Sequence, residues 1–187
     1  MKILVAMTLV FFYFFTSLPA SNAQNKPKKN QQPSYDDTDG YFVLSAIIDT
    51  VTKNLKSGSV SIFHQTVSEG AYKEVRAQCS SKFPQEFQSA LEDFDKKAKA
   101  KLLLQRKFSI QKQYGFVETT VGVETGIYSI SAVGFDERKT HAIVLVQHLV
   151  RPAGSIVLGG SRIFYLLRRS DKGWQQATDT PECGQIY

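Results

Sequence analysis

From Tyr41 onward, Leu44, Ile47, Ile48, Val51 and Leu55 recur at intervals of three and four residues, the spacing that aligns side chains on one face of an α-helix. Asp36, Asp37, Thr38 and Asp39 precede them and supply N-cap oxygens and first-turn negative charge, so a helix is predicted over about 40–55. Ser57-Gly58 ends it. Val60, Ile62 and His64 then alternate with Ser61, Phe63 and Gln65 as far as Thr66-Val67, which is the period of a strand. Pro84 suits a first helical position, and Phe87, Ala90, Leu91, Phe94 and Ala98 share a face, giving a second helix over about 84–100. Leu102-Leu103-Leu104 and the stretch Lys107–Lys112 read as a short strand, over a run brief enough to fit either period. Tyr128–Phe135, Thr140–Val150 and Arg162–Arg168 are rich in β-branched and aromatic residues, with turn residues at 136–139 and again at 170–173 before a closing strand from Trp174. The expected fold is α+β: two helices packed on one antiparallel sheet, in a single domain over 36–187.

The two ends of the polar pattern change the picture. Met1-Lys2, an apolar run from Ile3 to Leu18, and Ser21-Asn22-Ala23 with small residues at −3 and −1 form a secretory signal peptide, cleaved before Gln24. A retained anchor is the rival, but the run is shorter than the roughly 20 residues a spanning helix needs, and Pro19 ends it. No cysteine stands at the cleavage site, as a lipoprotein would require. Residues 24–34 contain three Lys, two Pro, two Asn and three Gln and nothing apolar, so 24–35 is expected to be a flexible linker. The formal charge of +6 resides mostly in these ends. Without Lys2, Lys26, Lys28 and Lys29, 19 of the 23 basic residues remain against 17 acidic ones, a net +2 on 34–187, which excludes a strong field for nucleic acid. The expected protein is exported, periplasmic or extracellular, and free of the membrane once the signal is removed.

The run Tyr41–Ile48, then Gln105–Ser109, then Ser131-Ala132-Val133-Gly134-Phe135-Asp136 with Lys139-Thr140 and Ala142, and finally Gly173-Trp174, resembles a group of exported bacterial proteins of unknown function. Their sheet segment is similar to S-x-V-G-F-[ND]-x-x-x-T-x-A-x-V. The resemblance implies a location and a packing pattern, and it supplies no activity.

Candidate chemistry is sparse. Three histidines, at 64, 141 and 148, show no ligand spacing. His141 and His148 are an odd number apart and face opposite ways on one regular strand. His64 and His148 are each in phase with core positions and could meet if their strands were neighbours. There is no Gly-x-Ser-x-Gly elbow, and the glycines from Gly154 to Gly160 lack a Gly-Lys-Ser/Thr ending, so they read as a hairpin connection. No cofactor and no metal is implied. Cys79 and Cys183, the two cysteines, are a candidate disulfide in an oxidising compartment; a free, reactive Cys79 is the alternative. His64, Tyr128, His148, Arg151, Arg162 and Tyr165 are polar or amphipathic residues among apolar strand positions and form the candidate ligand-binding set. Function is expected to be that of a noncatalytic binding or interaction module of the cell envelope, with an envelope protein or small ligand as partner. A small enzyme or inhibitor-like protein with a site near His64 and His148 is the alternative.

Overall fold

The computed structural model describes residues 32–119, 126–150, 159–180 and 182–187. The expected signal peptide, the expected linker up to residue 31, Arg151 and most of the 152–160 connection lie outside the described residues. The elements run α1 (Thr38–Thr52), β1 (Ser59–Phe63), α2 (Lys73–Cys79), α3 (Gln88–Lys97), β2 (Gln113–Val117), β3 (Ile127–Ile130), β4 (Gly134–Phe135), β5 (His141–Val150), β6 (Gly159–Ser170), β7 (Gly173–Gln176) and β8 (Cys183–Ile186).

The class is α+β, with two corrections: the sheet is mixed, and α-helices number three among the described residues. The strand order is β2-β1-β3-β5-β6-β7, with β4 pairing β5 and β8 pairing β6. β1 runs parallel to both β2 and β3, and the remaining pairs are antiparallel. Parallel neighbours cannot be joined by a hairpin, and the connection from β1 to β2 is long because it carries α2 and α3.

Alternation along β5 divides the core. Val144 and Val146 pack with α1, where Leu44, Ile47 and Ile48 are fully buried. Ile143 and Leu145 pack on the other side with Phe87, Leu91 and Phe94 of the α3 region and with Val75 of α2. The helices therefore lie over both faces of the sheet. α1 is capped by Asp37, whose Oδ1 accepts from the Gly40 N–H at 3.0 Å. Gly134, within the Ser131–Asp136 motif, admits α3 onto the sheet: a Cβ there would lie 2.2 Å from the Ala90 carbonyl oxygen and 2.4 Å from the Phe94 nitrogen. α2 was not foreseen. It is seven residues long and buries only Val75 and Cys79, too little to set a period.

The expected strand at 107–112 is absent, because α1 side chains take its backbone amides. Tyr41 Oη, Ser45 Oγ and Asp49 Oδ1, spaced four residues apart on α1, accept from the N–H groups of Gln105, Ser109 and Gln111 at 2.6, 2.9 and 2.8 Å. The strand appears further on, at 113–117. The linker boundary also shifts. Tyr35 is buried, its N–H donates to the Leu103 carbonyl at 2.8 Å, and its hydroxyl accepts from the Val133 N–H at 3.3 Å, so the compact unit begins at Gln32. Cys79 and Cys183 are joined in a disulfide that ties β8 to α2. No helix among the described residues is long and apolar enough to cross a membrane.

Candidate functional site

Register places Tyr128 of β3 directly opposite His148 of β5, and His148 opposite Ser161 of β6. Tyr165, four residues beyond Ser161, points to the same face. There the outer edge of β6 changes partner, from β8 along 161–164 to β7 along 167–170. That change leaves a gap flanked by Gln176, the last residue of β7, and Glu182, just before β8. The C-terminal end of α1 brings Thr50 and Val51 above it. The result is a pocket of about 290 Å³ lined by Thr50, Val51, Tyr128, Val146, His148, Ser161, Tyr165, Gln176 and Glu182.

The Tyr128 and His148 rings stack at 4.4 Å with an interplanar angle of 9°. Burial lowers the His148 pKa below the ordinary 6.5, so the imidazole is neutral at neutral pH. Its Nε2 is buried without a hydrogen-bond partner. Gly126, at φ +94°, closes over that atom; a Cβ there would come within 2.5 Å of it. Burial, followed by the negative charge of Glu182, pushes the Tyr165 hydroxyl up to about 12, and burial raises Tyr128 as well. Gln176 Nε2 donates to Glu182 Oε1 at 3.4 Å.

Of the candidate set, Tyr128, His148 and Tyr165 come together here and the others do not. His64 sits just past the end of β1, which β3 separates from β5, so two strand spacings of about 4.8 Å keep it from His148. Its backbone N–H donates to the Val117 carbonyl at 3.1 Å, and its carbonyl accepts from Leu104 at 2.8 Å. Arg162 is in register with Gln147 on the opposite face, where its guanidinium lies 4.9 Å from the Tyr187 ring centre and its Nε is buried without a partner. Arg151 lies outside the described residues. Thr50, Val51, Val146, Ser161, Gln176 and Glu182 were not in the set. Ser161 and Val146 had a signal, an even offset from Tyr165 and from His148 on their respective strands.

A second polar cluster has another explanation. Thr140 Oγ1 donates to Asp136 Oδ2 at 2.7 Å and lies 3.0 Å from His141 Nδ1, which is also 3.4 Å from Asp136 Oδ2. A hydroxyl-activating relay needs the hydroxyl and the carboxylate on opposite ring nitrogens, whereas here both crowd Nδ1. Asp136 Oδ1 also accepts from the backbone N–H groups of Thr140 and His141, which closes the turn where Lys139 adopts φ +52°. His141 packs edge-on against Phe87 at 4.9 Å, on the face away from His148. Among the described residues, no three His, Cys, Asp or Glu side chains converge as metal ligands would. No protein-family model, curated protein or solved structure matches the chain.

Proposed function

We propose that this chain is an exported, noncatalytic ligand-binding module of the cell envelope, whose site is the pocket between the end of α1 and strands β3, β5 and β6. One observation carries the reading: a concave space of about 290 Å³ gathers two tyrosines, a neutral histidine, hydroxyls and one carboxylate, with Val51 and Val146 as its aliphatic part. Convergent polar groups in a concave space fix the orientation of a small molecule, and the mostly polar lining here suits a polar or charged one. Binding is the reading the arrangement supports, since the buried His148 Nε2 is paired with no hydroxyl of the lining that it could activate as a nucleophile. The amino-terminal signal pattern and the disulfide support export.

The test is a fragment screen by NMR on the purified chain and on Thr50→Trp, which places an indole over the pocket from an exposed helical position. Fragments are expected to shift the backbone amides of Tyr128, His148 and Tyr165 in the parent chain and to lose that effect in Thr50→Trp, with the melting temperature unchanged. Hits that map elsewhere, or that survive Thr50→Trp, would overturn the reading.

A further inference from the structure

The lining of this pocket is unbalanced in charge. Of the nine residues, Glu182 is the one charged at neutral pH, and neither Lys nor Arg is among them. Its neighbours do not neutralise it: the contact it receives is the amide of Gln176 at 3.4 Å, and no ion pair reaches it among the described residues. Two donors of the lining are already committed. Thr50 Oγ1 spends its hydrogen on the Ala46 carbonyl at 2.8 Å, and the Gln176 amide is turned to the carboxylate, so Thr50 offers lone pairs and Glu182 offers charge. Val51 and Val146 supply an apolar wall and Tyr128 and Tyr165 aromatic surface, both suited to the carbon body of a small ligand. An anion entering this space would meet a carboxylate and no cation. An ammonium group would meet the exposed Glu182 carboxylate at the mouth, with no competing cation in the lining, together with hydroxyl lone pairs and aromatic rings.

We infer that the pocket takes a small organic cation, an ammonium group on a compact apolar body, with Glu182 as its counter-ion. This deepens the binding-module reading and rests on it. Glu182 stands immediately before Cys183, so the disulfide to α2 fixes the point from which the carboxylate reaches the site. The volume restricts the ligand to a few heavy atoms beyond the charged group, because it lies at the lower end of the range for small-molecule sites.

The probes are n-butylammonium, its neutral counterpart n-butanol and its anionic counterpart butyrate, titrated into the full chain while the amides of Gly126, Tyr128, His148 and Tyr165 are followed by NMR. n-Butylammonium is expected to shift these amides and to weaken as salt is raised. Glu182→Gln should reduce its affinity roughly threefold, the scale of one exposed ion pair, while any weak n-butanol binding persists and reports an intact pocket. If n-butanol or butyrate binds as tightly as n-butylammonium, or if Glu182→Gln leaves n-butylammonium unaffected, the cation inference is overturned and the binding-module reading stands. If none of the three probes, nor any fragment from the screen above, shifts these amides, both readings fall.

Discussion

The surroundings of His148 are costly and therefore informative. Its ring is held against Tyr128 at 4.4 Å, Gly126 closes over Nε2, and that nitrogen has no partner. Protonation would put a charge into this setting, and burial accordingly depresses the pKa below 6.5. The sign of the linkage follows. The unfolded chain, titrating near 6.5, binds more protons than the folded one below that value, so the contribution of His148 to stability is complete above pH 6.5 and is lost as pH falls through the lower folded pKa. Relative to His148→Asn, the parent chain should lose unfolding free energy on acidification through that window, and the imidazole should titrate below 6.5 by NMR. A midpoint at or above 6.5 would show that the ring is solvated and the stack open. Tyr128, His148 and Tyr165 were legible in the sequence because each breaks an apolar alternation at a position that faces the core. Glu182 and Gln176 were not, because nothing local marks a residue whose role comes from two short strands meeting along one edge of β6.

Helix α1 shows how far a periodic pattern reaches and where it stops. The stripe Leu44, Ile47, Ile48 is buried as its spacing requires, and Asp37 caps the helix as its acidic prelude suggests. The flanking face, Tyr41, Ser45 and Asp49, is polar enough to pass for solvated surface, yet it accepts the amides of 105, 109 and 111 and thereby denies that segment a strand. Hydrophobic period tells which way a side chain faces and is silent on which segment lies beside it. The same gap explains the parallel β1–β2 and β1–β3 pairs, which a reading of successive hairpins could not supply. A prediction isolates the polar face. Ser45, buried, accepts from the Ser109 N–H at 2.9 Å and donates to the Tyr41 carbonyl at 2.7 Å. Ser45→Ala should cost about 1–3 kcal/mol by leaving a backbone donor unmet. Thr50→Ala, which removes a similar bond to an i−4 carbonyl at an exposed position, should stay within about 0.5 kcal/mol. Equal effects of the two changes in urea denaturation would mean that the 105–111 segment does not depend on α1.

At the scale of the whole molecule, the Cys79–Cys183 bond joins helix α2, on one face of the sheet, to β8, which adds only four residues to the outer edge of β6. The bond spans 104 residues of sequence, so it constrains the unfolded chain over most of the compact unit. In the chain-entropy model a loop of that order is worth up to about 4.7 kcal/mol, with native strain and residual denatured structure reducing it. It also acts locally, because β8 begins where Glu182 reaches the pocket rim: the bridge pins the start of the strand, whereas the ladder to β6 and the Tyr187 contacts with Gly160, Gln147 and Arg162 hold its far end. Reduction, or Cys79→Ala with Cys183→Ala, should therefore lower the guanidinium midpoint by an amount corresponding to about 2–4 kcal/mol. It should also weaken n-butylammonium binding at a temperature where the reduced chain is still folded. The two effects separate under titration with reductant: the stability loss tracks the closed loop, and the binding loss tracks the freedom of β8. A reduced protein with an unchanged midpoint would mean that β8 is secured by its ladder to β6 and the Tyr187 contacts. Unchanged n-butylammonium affinity in that protein would place the Glu182 carboxylate under the control of Gln176 and the β6 edge, with no contribution from the bridge.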